Sequence, residues 1–355
     1  MRTRKGAGTG KASRRLTAFD LYCGCGGLTL GLKHAGFAVV GAVEIDLLSA
    51  ETYKANHPEV RVWEDDIRNV SPRKVVSELR LREGDLDLLA GCPPCQGFSS
   101  IRTLNGSRVI ADSRNDLLFE FIRFIEVMRP KSVMMENVPG LAIDPRFEEY
   151  CRRLSALGYT HQHRMVDAAD YGVPQRRRRL ISVAGRDLAI RFPQRGSRRR
   201  TVRDAIAALP HPGEAGDVLH AAAEHRSSKV KRLIRLVPKD GGSRTDIPRR
   251  HWLQCHKATD GFWDVYGRMA WDDVAPTLTG GCINPSKGRF LHPEQDRAIT
   301  LREAALLQGF PRGYAFSLRQ GRFRTAEMIG NAFPPPLAAA HAKRVRLALS
   351  AAAHG

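Results

Sequence analysis

Cys95 is the side chain of this sequence best suited to act as a nucleophile. It follows the apolar run 86–90 and two prolines, Pro93 and Pro94, and it precedes the segment 96–99. We predict that the run is a strand ending in a stiff turn, because prolines have little conformational freedom left to lose. Such a turn fixes a thiol at the carboxyl edge of a sheet, where open α/β proteins place their chemistry. The pattern therefore predicts a catalytic thiol at Cys95.

The spacing Cys92-x-x-Cys95 also fits a redox dithiol or half of a zinc site. A zinc site needs a second close pair of cysteine or histidine, and a redox dithiol normally opens a helix directly. Here the motif continues into Gly97-Phe98, and the other cysteines are isolated or separated by glycine. They are Cys23, Cys25, Cys151, Cys255 and Cys282. We favour the single catalytic thiol, keep the redox and metal interpretations as alternatives, and predict that the protein uses no metal.

Glu136 is the candidate acid partner of this thiol. The segment 131–135 is typical of a short buried strand, and the segment 116–128 before it has apolar residues at helical spacing. A helix between two strands indicates a parallel crossover, which brings the carboxyl ends of both strands to the same edge of a sheet. We therefore expect Cys95 and Glu136 to lie close together. For Glu136 taken by itself, a solvated acid at a strand end is the alternative.

A glycine turn near the start of the chain predicts a ligand site. The strand pattern 16–22 is followed by Gly24, Gly26 and Gly27 and then by apolar residues at helical spacing. Glycines let a nucleotide-like ligand approach the backbone, and Glu44, at the end of the next predicted strand, is suited to accept hydrogen bonds from ribose hydroxyls. The spacing is not the dinucleotide fingerprint G-x-G-x-x-G, which argues against a nicotinamide-dependent oxidoreductase. Tight packing without a ligand is the other alternative.

Taken in order, these motifs resemble those of the DNA cytosine-5 methyltransferases. Any one motif can occur by chance, but their joint order and spacing, from Phe19 to about Pro336, make the resemblance specific. The matching segments are Phe19–Gly27, Glu44, Asp66-Ile67, Pro94-Cys95-Gln96, Glu136-Asn137-Val138, Tyr171–Arg179, Arg302–Ala305 and Gly330-Asn331-Ala332. The resemblance has implications for the reaction, the cofactor and the site residues.

The resemblance implies covalent catalysis on a cytosine that is swung out of the duplex. Carbon 5 of cytosine is a poor nucleophile, so the Cys95 thiolate first adds to carbon 6. Glu136 then relieves the charge on the ring by donating a hydrogen bond or proton at N3. Arg177 and Arg179 resemble the family's pair that supports the flipped base and the catalytic loop, and Arg179 is expected to contact the cytosine O2.

The methyl donor that the resemblance implies is S-adenosyl-L-methionine, which leaves as S-adenosyl-L-homocysteine. Tyr22 lines the donor pocket, Glu44 binds the ribose and Asp66 binds the adenine amino group. The full implied set of cofactor residues is Phe19, Tyr22, Gly24, Gly26, Gly27, Glu44, Asp66, Ile67, Pro94, Leu117 and Asn331.

Double-stranded DNA is the implied substrate, with contacts predicted at Ser99, Arg102, Gln175 and Arg244. The aperiodic segment 97–114 is expected to close over the substrate, and a disordered insertion is the alternative. Arg244 belongs to a glycine-rich polar loop, from which an arginine can pair with guanine or contact a phosphate. A tRNA cytosine-5 methyltransferase on the same scaffold is the alternative function, and the long region 187–297 favours DNA.

The predicted fold is an α/β, doubly wound, Rossmann-like S-adenosylmethionine-dependent methyltransferase domain with a second, smaller target-recognition domain. Strand and helix patterns alternate from Leu16 to about Ala184, and prolines interrupt the pattern from Asp187 to about Arg297. We predict a basic, disordered arm at 1–15, a discontinuous catalytic domain at 16–186 plus 325–355, and a target-recognition domain with its hinge at 187–324. The helix 337–349 is expected to pack beside the strand that begins near Leu16.

The charge balance favours a polyanionic partner. The chain has 57 Lys plus Arg against 37 Asp plus Glu, a formal net charge of +20, for which a generally basic proteome is the alternative explanation. No apolar run reaches membrane-spanning length, and the start of the chain lacks the apolar core of a secretory signal. The seven cysteines lack the paired spacing of a disulfide framework, which indicates a reducing compartment. We therefore predict a cytoplasmic monomer that binds DNA and no membrane. A separately acting restriction endonuclease is a candidate partner.

Overall fold

The computed structural model describes residues 14–94, 116–196, 198–214, 216–221, 226–258 and 263–353. Its strands are β1 Thr17–Leu21, β2 Ala38–Val43, β3 Arg61–Trp63, β4 Leu88–Gly91, β5 Ser132–Asn137, β6 Tyr159–Asp167 and β7 Arg178–Arg186. They form one seven-stranded sheet in the order β3-β2-β1-β4-β5-β7-β6. β1 to β5 are mutually parallel, and β7 is antiparallel to both of its neighbours. This arrangement confirms the predicted α/β, Rossmann-like fold.

Helices in the first half of the chain follow the predicted alternation with strands. They are α1 Gly27–His34, α2 Leu47–Asn56, α3 Pro72–Glu78, α4 Leu117–Met128 and α5 Pro145–Ala156. Asp46, Ser71 and Asp144 cap α2, α3 and α5, because each side chain accepts a hydrogen bond from a backbone N–H of the first turn. α4 confirms the crossover helix expected at 116–128, and its apolar stripe is buried against the sheet.

The strand pattern 179–184 is confirmed as β7, but its antiparallel direction was not predicted. The connection from β6 to β7 contains one short 3₁₀ turn, Ala168–Tyr171, and no crossover helix. A connection without a crossover returns the chain in the opposite direction, which pairs β7 with β6 and, on its other side, with β5. The start of β7 therefore lies beside the carboxyl end of β5, where Glu136 is found.

Between β7 and residue 320 the described chain consists of short helices and irregular segments, in agreement with the proline spacing, and two longer helices follow. The helices are α6 Val202–Ile206, α7 Ser228–Leu236, α8 Gln254–Ala258, α9 Leu301–Leu307, α10 Gly321–Asn331 and α11 Pro335–Ala352. The buried guanidinium of Arg268 holds part of this region together. It donates to the carbonyls of Ile234, Val237, His292 and Gln295 and to the Asp296 carboxylate.

Each face of the sheet has its own apolar core. α1 and α11 cover one face, and α4 and α5 cover the other. A Cβ on Gly31 of α1 would lie 2.4 Å from the Cβ of Ala338 in α11, so only glycine permits this close approach. None of the described helices combines the length and apolar character needed to cross a lipid bilayer. The division into catalytic and target-recognition domains stays a prediction.

Candidate active site

The carboxyl ends of the parallel strands β1 to β5 meet at one edge of the sheet. The register pairs Leu21 with Val43 and Gly91, Val43 with Trp63, and Gly91 with Met135. The residues that follow these positions include the predicted site residues Tyr22, Glu44, Asp66, Pro94 and Glu136. Ligands of open α/β folds bind outside this edge. The structure therefore brings residues from five separate stretches of the sequence to one place.

Glu136 is ion-paired with Arg179. The Arg179 Nε lies 2.7 Å from a carboxylate oxygen of Glu136, and both side chains are largely shielded from water. Because Glu136 is opposite Ile181 in the antiparallel ladder, Arg179 is its diagonal neighbour on the same face of the sheet. An ion pair at this distance restrains the orientation of the acid at the strand end.

The turn that leads into Cys95 is tied to the same strand ends. The Asn137 Nδ2 donates to the Pro93 carbonyl at 3.0 Å, and the Cys92 N–H donates to the Leu21 carbonyl at 3.3 Å. These bonds hold residues 92–94 against β1 and β5. Cys95 itself lies outside the described residues, as do Ser99, Arg102 and the segment expected to close over the substrate. Their roles stay predictions.

Cys92, the other thiol of the motif, lies beside Glu136. Removal from water, followed by the charge of Glu136, holds the pKa of Cys92 well above its usual value. A thiol that stays protonated is a poor nucleophile, so the structure argues against Cys92 in that role. Within the described ranges, no group of His, Cys, Asp and Glu side chains is arranged to hold a metal ion.

Arg177 is buried and directed toward the region after β7. Its Nη1 donates to the Leu278 carbonyl at 2.9 Å, and its backbone N–H donates to the Asp167 carboxylate at 2.9 Å. Burial, together with the charge of Arg179, lowers the pKa of Arg177 to about 9. These contacts suit a residue that positions its surroundings, whereas Arg179 is the arginine that contacts the acid.

Glu44 organises the glycine turn. One carboxylate oxygen accepts from the Gly24 N–H and the other from the Asp46 N–H, each at 2.8 Å, and burial raises the pKa of Glu44. Gly24 has φ +53°, and a Cβ there would meet no atom within 4 Å, so open space lies against the turn. Tyr22 donates its hydroxyl to the Leu117 carbonyl at 2.6 Å. An open glycine turn beside a carboxylate fits a donor that contains a nucleoside.

Gly26 and Gly27 are closely packed, in contrast to Gly24. A Cβ on Gly26 would lie 2.6 Å from the His57 Nε2, and one on Gly27 would lie 2.3 Å from the Phe333 carbonyl oxygen. Phe333 follows Asn331, an exposed residue at the end of α10. The structure therefore places the segment that carries Asn331 against the glycine turn, and the role of Asn331 toward a cofactor stays a prediction.

Two of the predicted cofactor residues cannot contact a ligand through their side chains. Phe19 packs between Trp63 and Phe124, and Ile67 is buried in the same core, so neither side chain reaches the edge of the sheet. The motif match includes these residues of the strand and of the core, so any contact with a ligand would come from their backbone atoms.

Asp66 and Ile45 occupy the same edge of the sheet with accessible side chains. Both carboxylate oxygens of Asp66 accept hydrogen bonds from the Arg68 guanidinium. An adenine amino group would therefore have to bind Asp66 alongside Arg68. Ile45, which the sequence analysis did not consider, is 62 % exposed next to Glu44 and offers an apolar surface for a base. Its only signal in the sequence is an apolar residue just after the acid that ends β2.

Two residues predicted to contact DNA, Gln175 and Arg244, have buried side chains, and their roles stay predictions. Gln175 is fully buried, and its amide bonds with Leu278 and Gln308. Arg244 is 2 % exposed, and its guanidinium stacks over the Trp252 ring at 4.9 Å from the centroid. A polar residue next to glycines predicts an exposed loop, and nothing in the local spacing shows that an aromatic ring eight residues later will cover it.

Comparison with known proteins decides the family. The family model described as C-5 cytosine-specific DNA methylase matches residues 16–346. The chain belongs to the C-5 cytosine-specific DNA methylases. The predicted family is thereby confirmed, and methyltransferase chemistry on DNA cytosine is the activity of that family.

The methylase has relatives that match along nearly its whole length. It is 38 % identical over 341 residues to the Type II methylase M.HgiDII of Herpetosiphon aurantiacus, covering 92 % of this chain and 94 % of that protein. It is 34 % identical to the Type II methyltransferase M1.HphI of Haemophilus parahaemolyticus, covering 93 % and 86 %. Its structure is similar to that of a DNA modification methyltransferase encoded within an E. coli prophage, with a TM-score of 0.69, 25 % identity and coverage of 94 % and 99 %.

Asn137, Asp20 and Gln308 are residues of the methylase site to which the sequence analysis gave no role. Asn137 holds the thiol turn, Asp20 is fully buried just before the glycine turn, and Gln308 bonds to the segment that carries Asn331. Asn137 lies inside the recognised segment Glu136-Asn137-Val138, so its place next to the site could have been predicted from the sequence. Asp20 also lies inside a recognised motif, and its hydrogen-bond donor Thr29 is nine residues later. Gln308 acts through Ala332, 24 residues away, and no local pattern indicates it.

Proposed function

We propose that the methylase transfers a methyl group from S-adenosyl-L-methionine to carbon 5 of a flipped-out cytosine in a specific duplex DNA sequence. The observation that carries this proposal is the ion pair of Glu136 and Arg179, which lies next to the turn leading into Cys95. We further propose that the protein is the modification enzyme of a type II restriction-modification system, which the Type II relatives support. The net charge of +20 suits a DNA substrate.

In the proposed reaction the Cys95 thiolate adds to carbon 6 of the cytosine, and the electrons of the 5,6 double bond become available at carbon 5. Glu136 gives a proton to N3, and Arg179 holds the Glu136 carboxyl in place and stabilises negative charge at O2. When bound, S-adenosyl-L-methionine supplies an electrophilic methyl group. Transfer of the carbon 5 proton to a base or water restores the double bond and expels the Cys95 thiolate. The N3 proton returns to Glu136 in the same stage, so the enzyme returns unchanged.

The proposed donor site lies at the edge of the sheet where the parallel strands end. Glu44 is held by the Gly24 and Asp46 N–H groups in an orientation that leaves carboxylate lone pairs for ribose hydroxyls. Ile45 provides an apolar surface for the adenine, and Asn331 closes the pocket from the end of α10. These residues bind and orient the donor, and none of them forms or breaks a covalent bond in the reaction.

Purified protein incubated with tritiated S-adenosyl-L-methionine tests the proposal directly. Duplex DNA is expected to become labelled, and hydrolysis of the product is expected to release 5-methylcytosine. Cys95→Ala should abolish transfer while leaving donor binding intact. Label found in tRNA alone, label on an exocyclic nitrogen, or full turnover by the Cys95→Ala variant would each contradict the proposal.

Arg179→Lys tests the contact that carries the proposal. Lysine keeps the positive charge but loses the planar fork that orients the acid, so kcat should fall by about 10²-fold, the usual effect of removing one preorganised donor. Arg178→Lys is the matched control, because Arg178 is the exposed neighbour on the same strand. Equal effects of the two substitutions on kcat would show that the Glu136 contact has no special role.

A further inference from the structure

A chain of buried side-chain amides joins the region after β7 to the segment that carries Asn331. The Leu278 N–H donates to the Gln175 Oε1 at 3.0 Å, and the Gln175 Nε2 donates to the Gln308 Oε1 at 2.5 Å. The Gln308 Nε2 then donates to the Ala332 carbonyl at 2.5 Å. Gln175 and Gln308 are both fully buried, although they are 133 residues apart in the sequence.

The direction of each bond in this amide chain is set by the backbone groups at its two ends. The Leu278 N–H can only donate, so Gln175 must present its oxygen there and its amino group to Gln308. The Ala332 carbonyl can only accept, so Gln308 must present its amino group there and its oxygen to Gln175. If either amide turned over, two donors or two acceptors would face each other in a site closed to water.

Both ends of the amide chain reach residues of the proposed site. The Leu278 carbonyl accepts from Arg177, two residues before Arg179. At the other end, Ala332 follows Asn331 and ends α10 in an extended conformation, with φ −60° and ψ 144°. Helical hydrogen bonding does not continue past this point, so the Gln308 bond is a specific restraint on the backbone that carries Asn331.

We propose that Gln308 is a positioning residue that holds Asn331 against the methyl donor, and that Gln175 keeps the Gln308 amide in the orientation this requires. The inference rests on the proposed function, since it takes S-adenosyl-L-methionine as the ligand next to Asn331. Gln308 touches neither donor nor cytosine. It acts through the position of the Ala332 carbonyl, so its loss should weaken donor binding more than it slows the chemical step.

Gln308→Glu is the sharpest test, because it keeps the shape of the side chain and the acceptor for Gln175 but turns a second oxygen toward the Ala332 carbonyl. Titration calorimetry with S-adenosyl-L-methionine should give a Kd raised by about 10-fold or more, which corresponds to about 1.4 kcal/mol. The KM for the donor should rise in parallel, while kcat at saturating donor and the Kd for duplex DNA should stay within about 2-fold of the wild type.

Gln308→Met should shift the donor Kd in the same direction without introducing a charge, which keeps the test valid if the buried glutamate prevents folding. Gln320→Glu is the matched control, since Gln320 is an exposed glutamine just before α10 and its donor Kd should equal that of the wild type. An unchanged donor Kd in both Gln308 variants would overturn the inference. Losses of kcat and DNA affinity with an unchanged donor KM would overturn it as well. A wild-type protein that bound no donor would instead contradict the proposed function.

Discussion

Asp20→Asn should remove a pH-dependent loss of stability from the methylase. Asp20 is fully buried at the end of β1; one oxygen accepts from the Thr29 Oγ1 at 2.7 Å, and the other has no hydrogen-bond partner in the part of the chain that the structure describes. Burial outweighs the effect of the Thr29 hydrogen bond and raises the pKa of Asp20 from 3.8 to about 8. The folded protein therefore keeps this carboxyl protonated at neutral pH, while the unfolded chain does not.

The size of the effect is set by this difference in proton binding. Below the unfolded pKa of 3.8 both states hold the proton, and the folded state keeps its full stability. As the pH rises from there toward about 8, only the folded state holds the proton, so each pH unit lowers the free energy of unfolding by about 1.4 kcal/mol. Asparagine does not titrate. From about pH 6 to about pH 7.5 the variant should therefore gain about 2 kcal/mol relative to the wild type.

Urea unfolding of both proteins across this pH range measures the difference. The free energy of the variant minus that of the wild type should rise steadily and level off above about pH 8. Asp65→Asn, the same change at an exposed carboxyl, is the matched control. A difference between Asp20→Asn and wild type that stays constant with pH would refute the reasoning, since it would mean that Asp20 does not change its proton affinity on folding.

Two further predictions concern packing and the irregular region. Gly27→Ala should lower the free energy of unfolding in urea by about 1–3 kcal/mol, because its Cβ would lie 2.3 Å from the Phe333 carbonyl oxygen. Gly313→Ala should be nearly neutral, because a Cβ there would meet no atom within 4 Å. Equal losses of stability in the two variants would contradict this prediction. Arg268→Leu should lower the free energy of unfolding by about 3 kcal/mol or more, because it leaves buried carbonyls without donors. Arg235→Leu, on the exposed face of α7, should cause no such loss of stability. Hydrogen exchange that stayed equally slow around residue 268 in both variants would argue against this anchor.

The sheet and its edge could be predicted because their signals are local. Continuous apolar runs, the crossover helix α4 and the glycine turn each occupy fewer than about 15 consecutive residues, and the parallel register is determined once strands and helices alternate. The placement of Glu136 and Glu44 at one edge is a consequence of that register. The ion pair of Glu136 with Arg179 was less accessible, because it depends on the antiparallel direction of β7.

Several polar side chains of this fold are buried by partners distant in sequence, which sequence reasoning does not indicate. Arg244 was interpreted as a DNA contact because a polar group in a glycine-rich loop is usually exposed, and Gln175 because it lies in a segment that resembles the family's motifs. In this methylase the described residues between β7 and α10 form only short helices and none of the named strands, so their backbone hydrogen bonds must be satisfied in another way. Buried side chains provide the missing donors. Arg268 donates hydrogen bonds to four backbone carbonyls, and Gln308 donates to the carbonyl of Ala332.

Polar side chains buried in this way are difficult to recognise from the sequence of any fold with a similar irregular region. Where periodic apolar patterns vanish, a buried arginine or glutamine replaces the hydrogen-bond ladder of a regular element, and its partners can lie anywhere in the chain. The polar residues of the irregular region are therefore of two kinds, anchors and surface groups, which composition alone cannot separate. Only the exposed kind remains available for DNA. A search for the residues that read the target sequence should thus begin from exposed side chains such as Lys231 and Arg235 of α7, and leave Arg244 and Arg268 aside.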